Sequence, residues 1–164
     1  MCIMSFTLTR KTDYALVALA ALANEAETAD EPQPLSARQI AEAYDLPVHL
    51  LSNVLKALHR GEVICSKRGA GGGYLLCRDP RDIRLLNIVE AIEGPVKMAM
   101  CCDDETAIES NGGPADDEDC SCQVAAKCPI TTPMQRFNDM GHNFLDRITL
   151  HDLITNQTPA SLTQ

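Results

Sequence analysis

No stretch of this sequence is apolar for long enough to cross a membrane. The longest apolar run falls within Tyr14–Ala23, well short of the roughly 20 residues that a spanning helix needs. Met1–Arg10 has no basic start, apolar stretch and small-residue cleavage site, so no export signal is read there. These absences predict a cytoplasmic chain with no membrane partner, in a compartment that keeps thiols reduced. Catalytic signatures are missing too. There is no nucleophile elbow, zinc-protease helix motif or dinucleotide fingerprint. The glycine-rich run Gly69-Ala70-Gly71-Gly72-Gly73 lacks the Lys-Ser/Thr of a phosphate loop and leads into a strand pattern rather than a helix. An enzyme is not expected. No internal repeat occurs, and 164 residues suit one domain, or a small domain with an appended element.

What the sequence does have is thiols. Five of its eight cysteines lie between Cys101 and Cys128: Cys101, Cys102, Cys120, Cys122 and Cys128. The segment between the first pair and the rest is rich in Gly, Pro, Asp and Glu and has no apolar period, so it reads as loop. A disulfide framework, a zinc site and an iron–sulfur cluster would each explain it. A reducing compartment argues against the first. Spacing alone leaves the other two open, since four of these cysteines could satisfy zinc and thiolates equally suit iron. Cys65 and Cys77 are read as small apolar strand residues rather than ligands, and Cys2 as a terminal residue without a role.

Charge is divided along the chain. The net charge is −9. Residues 35–88 nevertheless carry eight Lys/Arg against five Asp/Glu, net +3, whereas residues 98–164 carry three against eleven, net −8. A basic middle beside an acidic end is compatible with nucleic-acid binding.

The basic middle has a recognisable layout. Thr9–Ala23 reads as a buried Ala/Leu-rich helix started by Thr7 or Thr9, and Asn24–Pro34 as an exposed loop. Ser36 is a good N-cap for a helix over Ala37–Tyr44. Asp45-Leu46-Pro47 breaks it, and a second helix is predicted from about Pro47 to Arg60. Leu50, Leu51, Val54, Leu55 and Leu58 form its inner stripe and leave His49, Ser52, Asn53, Lys56 and Arg60 outside. This pair forms a helix-turn-helix pattern, which by itself reads equally as an ordinary helical hairpin, and the segment that follows favours the DNA-binding reading. Strands are predicted at Val63–Ser66 and Tyr74–Arg78, joined by the basic, glycine-rich tip Lys67–Gly73, which makes a wing able to reach phosphates or a minor groove. His49, Ser52, Asn53 and Lys56 on the helix, with Lys67, Arg68, Gly69 and Tyr74 in the wing, are the candidate DNA contacts. His59 is read as a surface or DNA-facing residue, and His142 and His151 as surface residues.

Leu85–Glu93 is a further predicted helix, with Gly94 as its stop. After Cys128-Pro129, Thr132 and Pro133 open a long helix. Met134, Phe137, Gly141, Phe144 and Ile148 recur along it at three- and four-residue steps, an a/d-like seam. Thr149 caps a short last helix, Leu150–Ile154. The fold class is therefore mainly α with a small β wing. A winged helix-turn-helix domain spans 7–95, a cysteine-rich loop 96–130, a dimerisation helix with a short terminal helix 131–154, and a tail 155–164.

Four motifs occur in a specific order: Lys11-Thr12-Asp13-Tyr14-Ala15-Leu16, then Arg68-Gly69-Ala70-Gly71-Gly72-Gly73-Tyr74, then Ile88-Val89-Glu90-Ala91-Ile92-Glu93-Gly94-Pro95, then Cys122, five intervening residues and Cys128-Pro129. In these the chain resembles the family of winged-helix iron–sulfur regulators that includes IscR and NsrR, and most of all the branch of SUF iron–sulfur assembly regulators. The resemblance covers about residues 8–153. It implies a homodimer whose long helices cross and whose winged heads read a two-fold operator in double-stranded DNA. It also implies a cluster, 2Fe–2S with 4Fe–4S as the alternative and zinc behind both, held by Cys101, Cys122 and Cys128. Where IscR-like members have a histidine ligand three residues after the last cysteine, this chain has Thr131. The fourth position is open to Asp13, Cys120 or Cys102. The function implied is a cluster-sensing repressor of iron–sulfur assembly genes. A redox- or nitric-oxide-responsive regulator of other genes is the alternative, and a zinc- or cluster-carrying scaffold without a DNA role the second alternative.

Overall fold

A computed structural model describes residues 8–28, 31–69, 71–97 and 127–155. Among these residues, in chain order, the elements are α1 (Arg10–Thr28), α2 (Ala37–Ala43), α3 (Val48–Arg60), β1 (Ile64–Lys67), β2 (Gly73–Leu76), α4 (Leu85–Glu93), α5 (Thr131–Arg147) and α6 (Leu150–Ile154). The architecture is mostly helical with a two-stranded antiparallel sheet.

The main core is aliphatic. Ala15, Ala18, Leu19 and Leu22 of α1 pack with Leu51, Leu55 and Leu58 of α3, with Ile40 and Ala41 of α2 and with Ile88 of α4. The alanines leave little bulk between α1 and its neighbours, so the helices lie close. Thr12 is the buried polar exception among the described residues. α1 runs five residues past its predicted end at Ala23, because Glu25, Ala26 and Glu27 are good helix formers despite their polarity. Thr28 closes it by donating to the Asn24 carbonyl, at 2.8 Å.

Ser36 caps α2 as expected, in a capping box with Gln39. The turn into α3 puts Asp45 at φ 52°, a conformation that Asp tolerates better than most residues. Pro47 is the N-cap of α3 rather than its first residue. Leu50, expected on the inner stripe, is 41% exposed. It lies about 100° around the axis from Leu51, so the buried face narrows to Leu51, Val54, Leu55 and Leu58.

Two close backbone contacts position the wing. β1 and β2 pair from Ile64↔Leu76 to Lys67↔Gly73. β2 also bridges the chain ahead of α2: Leu35 donates to the Tyr74 carbonyl at 3.0 Å, and Tyr74 to that of Leu35 at 2.8 Å. Gly73 permits this approach, since a Cβ there would stand 2.5 Å from the Leu35 carbonyl.

The chain returns after α5 to complete the head. Leu85 donates to Ile148 and Leu150 to Ile83, both at 2.8 Å. Leu150 enters the main core. Leu85 and Val89 of α4 form a second cluster with Leu145 and Ile148. Ile148, expected on the dimer seam, is thus buried within its own chain. α5 starts at Thr131, one residue before the predicted cap at Thr132. α4 and α6 keep their predicted bounds, α6 with a capping box from Thr149 to Asp152.

Candidate nucleic-acid interface and thiol region

The outer face of α3 and the inner face of the wing enclose a cleft of about 530 Å³, lined by Asn53, Lys56, His59, Arg60, Ser66 and Tyr74. Helical periodicity creates the α3 side: His49, Asn53, Lys56 and Arg60 follow one another at intervals of three or four residues. All four are exposed. The side chains of His59 and Ser66 meet at 3.1 Å and join helix to strand. Lys67, Arg68 and Gly69 lie exposed beyond this contact. Arg78 steadies the other end of the hairpin by donating to the Glu62 carbonyl, at 3.2 Å.

Of the candidate contacts, Asn53, Lys56 and Tyr74 line the cleft, Lys67, Arg68 and Gly69 sit on the wing tip, and His49 lies outside the lining at the start of α3. The Ser52 hydroxyl is turned back on its own helix and donates to the Val48 carbonyl, at 2.8 Å. Its proton is engaged, which leaves its lone pairs to an outside partner. Arg60, read on the outer face of the helix, and His59, read as surface or DNA-facing, line the cleft with Ser66, which was not a candidate. Their shared cleft depends on how β1 leaves α3, which periodicity within the helix does not reveal.

The thiol region is described only at its edges. Cys128 is half-buried at the root of α5, and its carbonyl accepts from the Thr131 amide at 3.4 Å. Cys101, Cys102, Cys120 and Cys122 lie outside the described residues, as do Cys2, Met98 and Met100. Asp13 is exposed in the first turn of α1. Among the described residues no three potential metal ligands gather. The donor chemistry at Cys128, a thiol at a helix root, suits iron or zinc.

The chain leaves α4 beside a crevice of about 250 Å³ lined by residues including Thr9, Glu93, Pro95 and Val96. Here two of the sequence motifs meet. Glu93 accepts a hydrogen bond from Thr12 at 2.5 Å and another from Thr9. His142 of α5 is not a free surface residue: its Nε2–H donates to the Val96 carbonyl at 2.5 Å, tying the middle of α5 to the chain just past α4.

The hydrogen bonds at Glu93 and Asp152 set an acid limit. Partial desolvation pushes the Glu93 carboxyl up, but Thr12, Thr9 and the charge of Lys11 outweigh it and hold it below the ordinary value. Hydrogen bonds from the Thr149 side chain and backbone hold Asp152 down in the same way. Their stabilisation is complete above the unfolded values, about 4.3 for Glu and 3.9 for Asp, and is lost as pH falls through the lower folded values. Melting temperature should therefore drop below about pH 4. Thr12→Val should flatten that drop. An unchanged acid profile in the variant would count against the Glu93 contribution.

A family model for Rrf2, described as an iron-dependent transcriptional regulator, matches residues 8–156. An rrf2-like HTH-type transcriptional regulator of Rhodobacter capsulatus is 34% identical over 157 residues, 94% of this chain and 96% of its own. The HTH-type transcriptional regulator IscR of Enterobacter sp. (strain 638) is 31% identical over 150 residues, 92% of this chain and 80% of its own. Among solved structures, T. potens IscR superposes with a TM-score of 0.60 at 25% identity, over 98% of this chain and 95% of its own. These relatives are regulators rather than enzymes, and the α3–wing arrangement is that of their winged-helix fold. No helix among the described residues is long and apolar enough to cross a membrane. The chain therefore belongs to the Rrf2 family of helix-turn-helix transcriptional regulators.

Proposed function

We propose that this protein is a cytoplasmic, dimeric repressor of iron–sulfur assembly genes whose binding to duplex DNA is set by a cluster. The observation that carries the DNA reading is the α3–wing cleft: Lys56 and Arg60 flank it on the helix side, and Lys67 and Arg68 extend from the wing side. α3 is the element for a major groove, with Asn53 and Lys56 toward base edges or phosphates and His49 and Ser52 at its start. Lys67 and Arg68 suit phosphates or the adjacent minor groove, where negative potential is concentrated. A carrier of metal has no need of such a basic wing.

Cys101, Cys122 and Cys128 are the ligands of choice, with Asp13, Cys120 or Cys102 at the fourth position. The family's iron dependence and the soft thiolate set favour an iron–sulfur cluster, 2Fe–2S before 4Fe–4S, over zinc. When bound, the cluster supplies a labile, redox-sensitive tie between thiolates. What this chain contributes is leverage. Cys128 stands at the root of α5, and residues 98–126 join that root to the chain just past α4, which His142 holds at Val96, while Glu93 ties the end of α4 to Thr12 of α1. A cluster held across this span would restrain α5 against the head that carries α3, an element that a ligand can bias.

The test combines anaerobic iron and sulfide analysis with a gel-shift series, comparing holo and apo protein on the DNA upstream of its own gene. Different affinities are expected for the two forms, and equal ones would rule out cluster control. Arg68→Ala should weaken binding by about 1–3 kcal/mol if the wing reads a base. Undiminished affinity in that variant would show the wing idle.

A further inference from the structure

Cys65 and Cys77 are joined in a disulfide across the wing, with Cα atoms 5.2 Å apart. This corrects their reading as unlinked strand residues in a chain of reduced thiols. Compartment argues against disulfides in general, but proximity in the hairpin overrides it here. Cys65 stands opposite Leu75, so Cys77, two residues on and just past the end of β2, lies on the diagonal. The sequence separation of 12 encloses the whole basic tip.

We propose that Cys65 and Cys77 form a reversible thiol–disulfide modification site that sets the order of the wing, and through it the affinity for DNA. The second half rests on the DNA-binding reading above. Three observations carry the inference. First, the wing is a hairpin of two four-residue strands whose base packs in the core and whose Leu35 bridge reaches only to Tyr74; toward the tip it is two-stranded, and two strands alone are marginally stable in water. Second, its anchors are divided between its faces. Ser66 and Tyr74 turn toward α3 and Leu35 and are held there by His59 and by the backbone bridge. Alternation turns Cys65 to the opposite face, where it shares a side with Lys67. On that face the disulfide is the cross-link, and it acts two residues from the tip that carries Lys67 and Arg68. Third, both cysteines are exposed, so small thiols and disulfides can reach them. Lys67 and Arg78 add positive charge nearby, which favours the approach of an anionic thiolate.

The chemistry is a dithiol–disulfide exchange with a low-molecular-weight disulfide such as glutathione disulfide. One thiolate attacks a sulfur of that molecule, forms a mixed disulfide and expels one small thiol. The second cysteine then attacks the mixed bond and expels the other. One sulfur–sulfur bond breaks and one forms. The protein gives up two electrons and two protons, and the small disulfide becomes two thiols. An excess of small thiol runs the exchange backward. The oxidised wing is pre-organised for binding, whereas the reduced wing must be ordered at that step.

The wild-type protein and a Cys65→Ser/Cys77→Ser variant should be equilibrated in glutathione buffers running from reducing to oxidising. Each is then assayed by differential alkylation with mass spectrometry, by tryptic cleavage after Lys67 and Arg68, and by affinity for the upstream duplex. Oxidised wild type is expected to resist cleavage and to bind about tenfold more tightly than reduced. The variant should behave as the reduced form in every buffer. A wild-type bond that never opens, or never forms, across the series would overturn the proposal. A redox response that the variant shares would place its origin elsewhere in the chain and overturn it too. Equal affinity in both wild-type forms would end the switch and leave DNA binding standing. No duplex binding by either form would overturn the switch and the DNA reading together. Should the serine variant misfold, Cys65→Ala/Cys77→Ala replaces it, and the wild-type comparison stands on its own.

Discussion

Phe137→Asp combined with Phe144→Asp should convert the protein to a monomer and lower its affinity for a two-fold duplex site by roughly 10²–10⁴-fold. The expectation follows from what α5 does with its surface. Its contact with its own head runs through Leu145 and Ile148, which pack on Leu85 and Val89. Among the described residues much of the rest of its apolar side stays open: Phe137 is 53% exposed, Phe144 51% and Met140 69%. Phe137, Gly141 and Phe144 follow one another at steps of four and three residues and so share one stripe. Isolated exposed apolar residues are ordinary on a protein surface, whereas a row along one helix marks a contact. A second copy of α5 is the proposed partner. Burying a phenylalanine stabilises by about 1.5–3 kcal/mol, and a symmetric interface counts each one twice. Aspartates there would lose that term and face each other as like charges. Two heads on separate chains would then bind as independent weak modules. Because both phenylalanines are exposed in the protomer, helix content should hold. Sedimentation velocity and a gel shift would check the pair of effects, and a variant that stays dimeric would remove α5 from the interface.

The parts of this fold that were legible in sequence are those decided by neighbours in the chain. Ser36 and Thr149 announce their helices because a capping box spans only three residues, and α4 is bounded by Leu85 and Gly94 for equally local reasons. The end of α1 was misplaced because polarity and helix propensity point in different directions at Glu25–Glu27, and propensity won. Leu50 shows the limit of counting apolar residues: the stripe is right, but which residue falls over its edge depends on what α3 packs against. The cleft was half visible. Asn53, Lys56 and Arg60 follow from period alone, while His59 and Ser66 meet only through the tertiary angle between helix and wing. The Cys65–Cys77 link depends on strand register, and an inference from compartment cannot substitute for that. Ile148 fits the periodic seam and yet serves its own head, since periodicity does not say which of two surfaces a helix faces.

Cys128→Ala should abolish iron and sulfide in anaerobically prepared protein, and should melt within a few degrees of metal-free wild type. The two halves of this expectation have separate grounds. Cys128 is half-buried at the start of α5 and belongs to neither apolar cluster. Substitutions away from packed cores usually stay within about 0.5 kcal/mol, so the metal-free fold should tolerate the change. A cluster held by three thiolates and one weaker or exchangeable group has no thiolate to spare. Cys65→Ala offers the matched control, since it removes a cysteine from the wing rather than from the root of α5 and should leave iron untouched. Asp13→Asn separates the options at the fourth position: loss of iron would favour the carboxylate, and full retention would turn attention to Cys120 and Cys102. Cys128 is the only one of the three proposed ligands that is among the described residues, and the cluster reading depends on it directly. Full iron and sulfide in Cys128→Ala would mean that the centre, if present, is built on other thiols. The leverage assigned to the root of α5 would then have no ligand behind it.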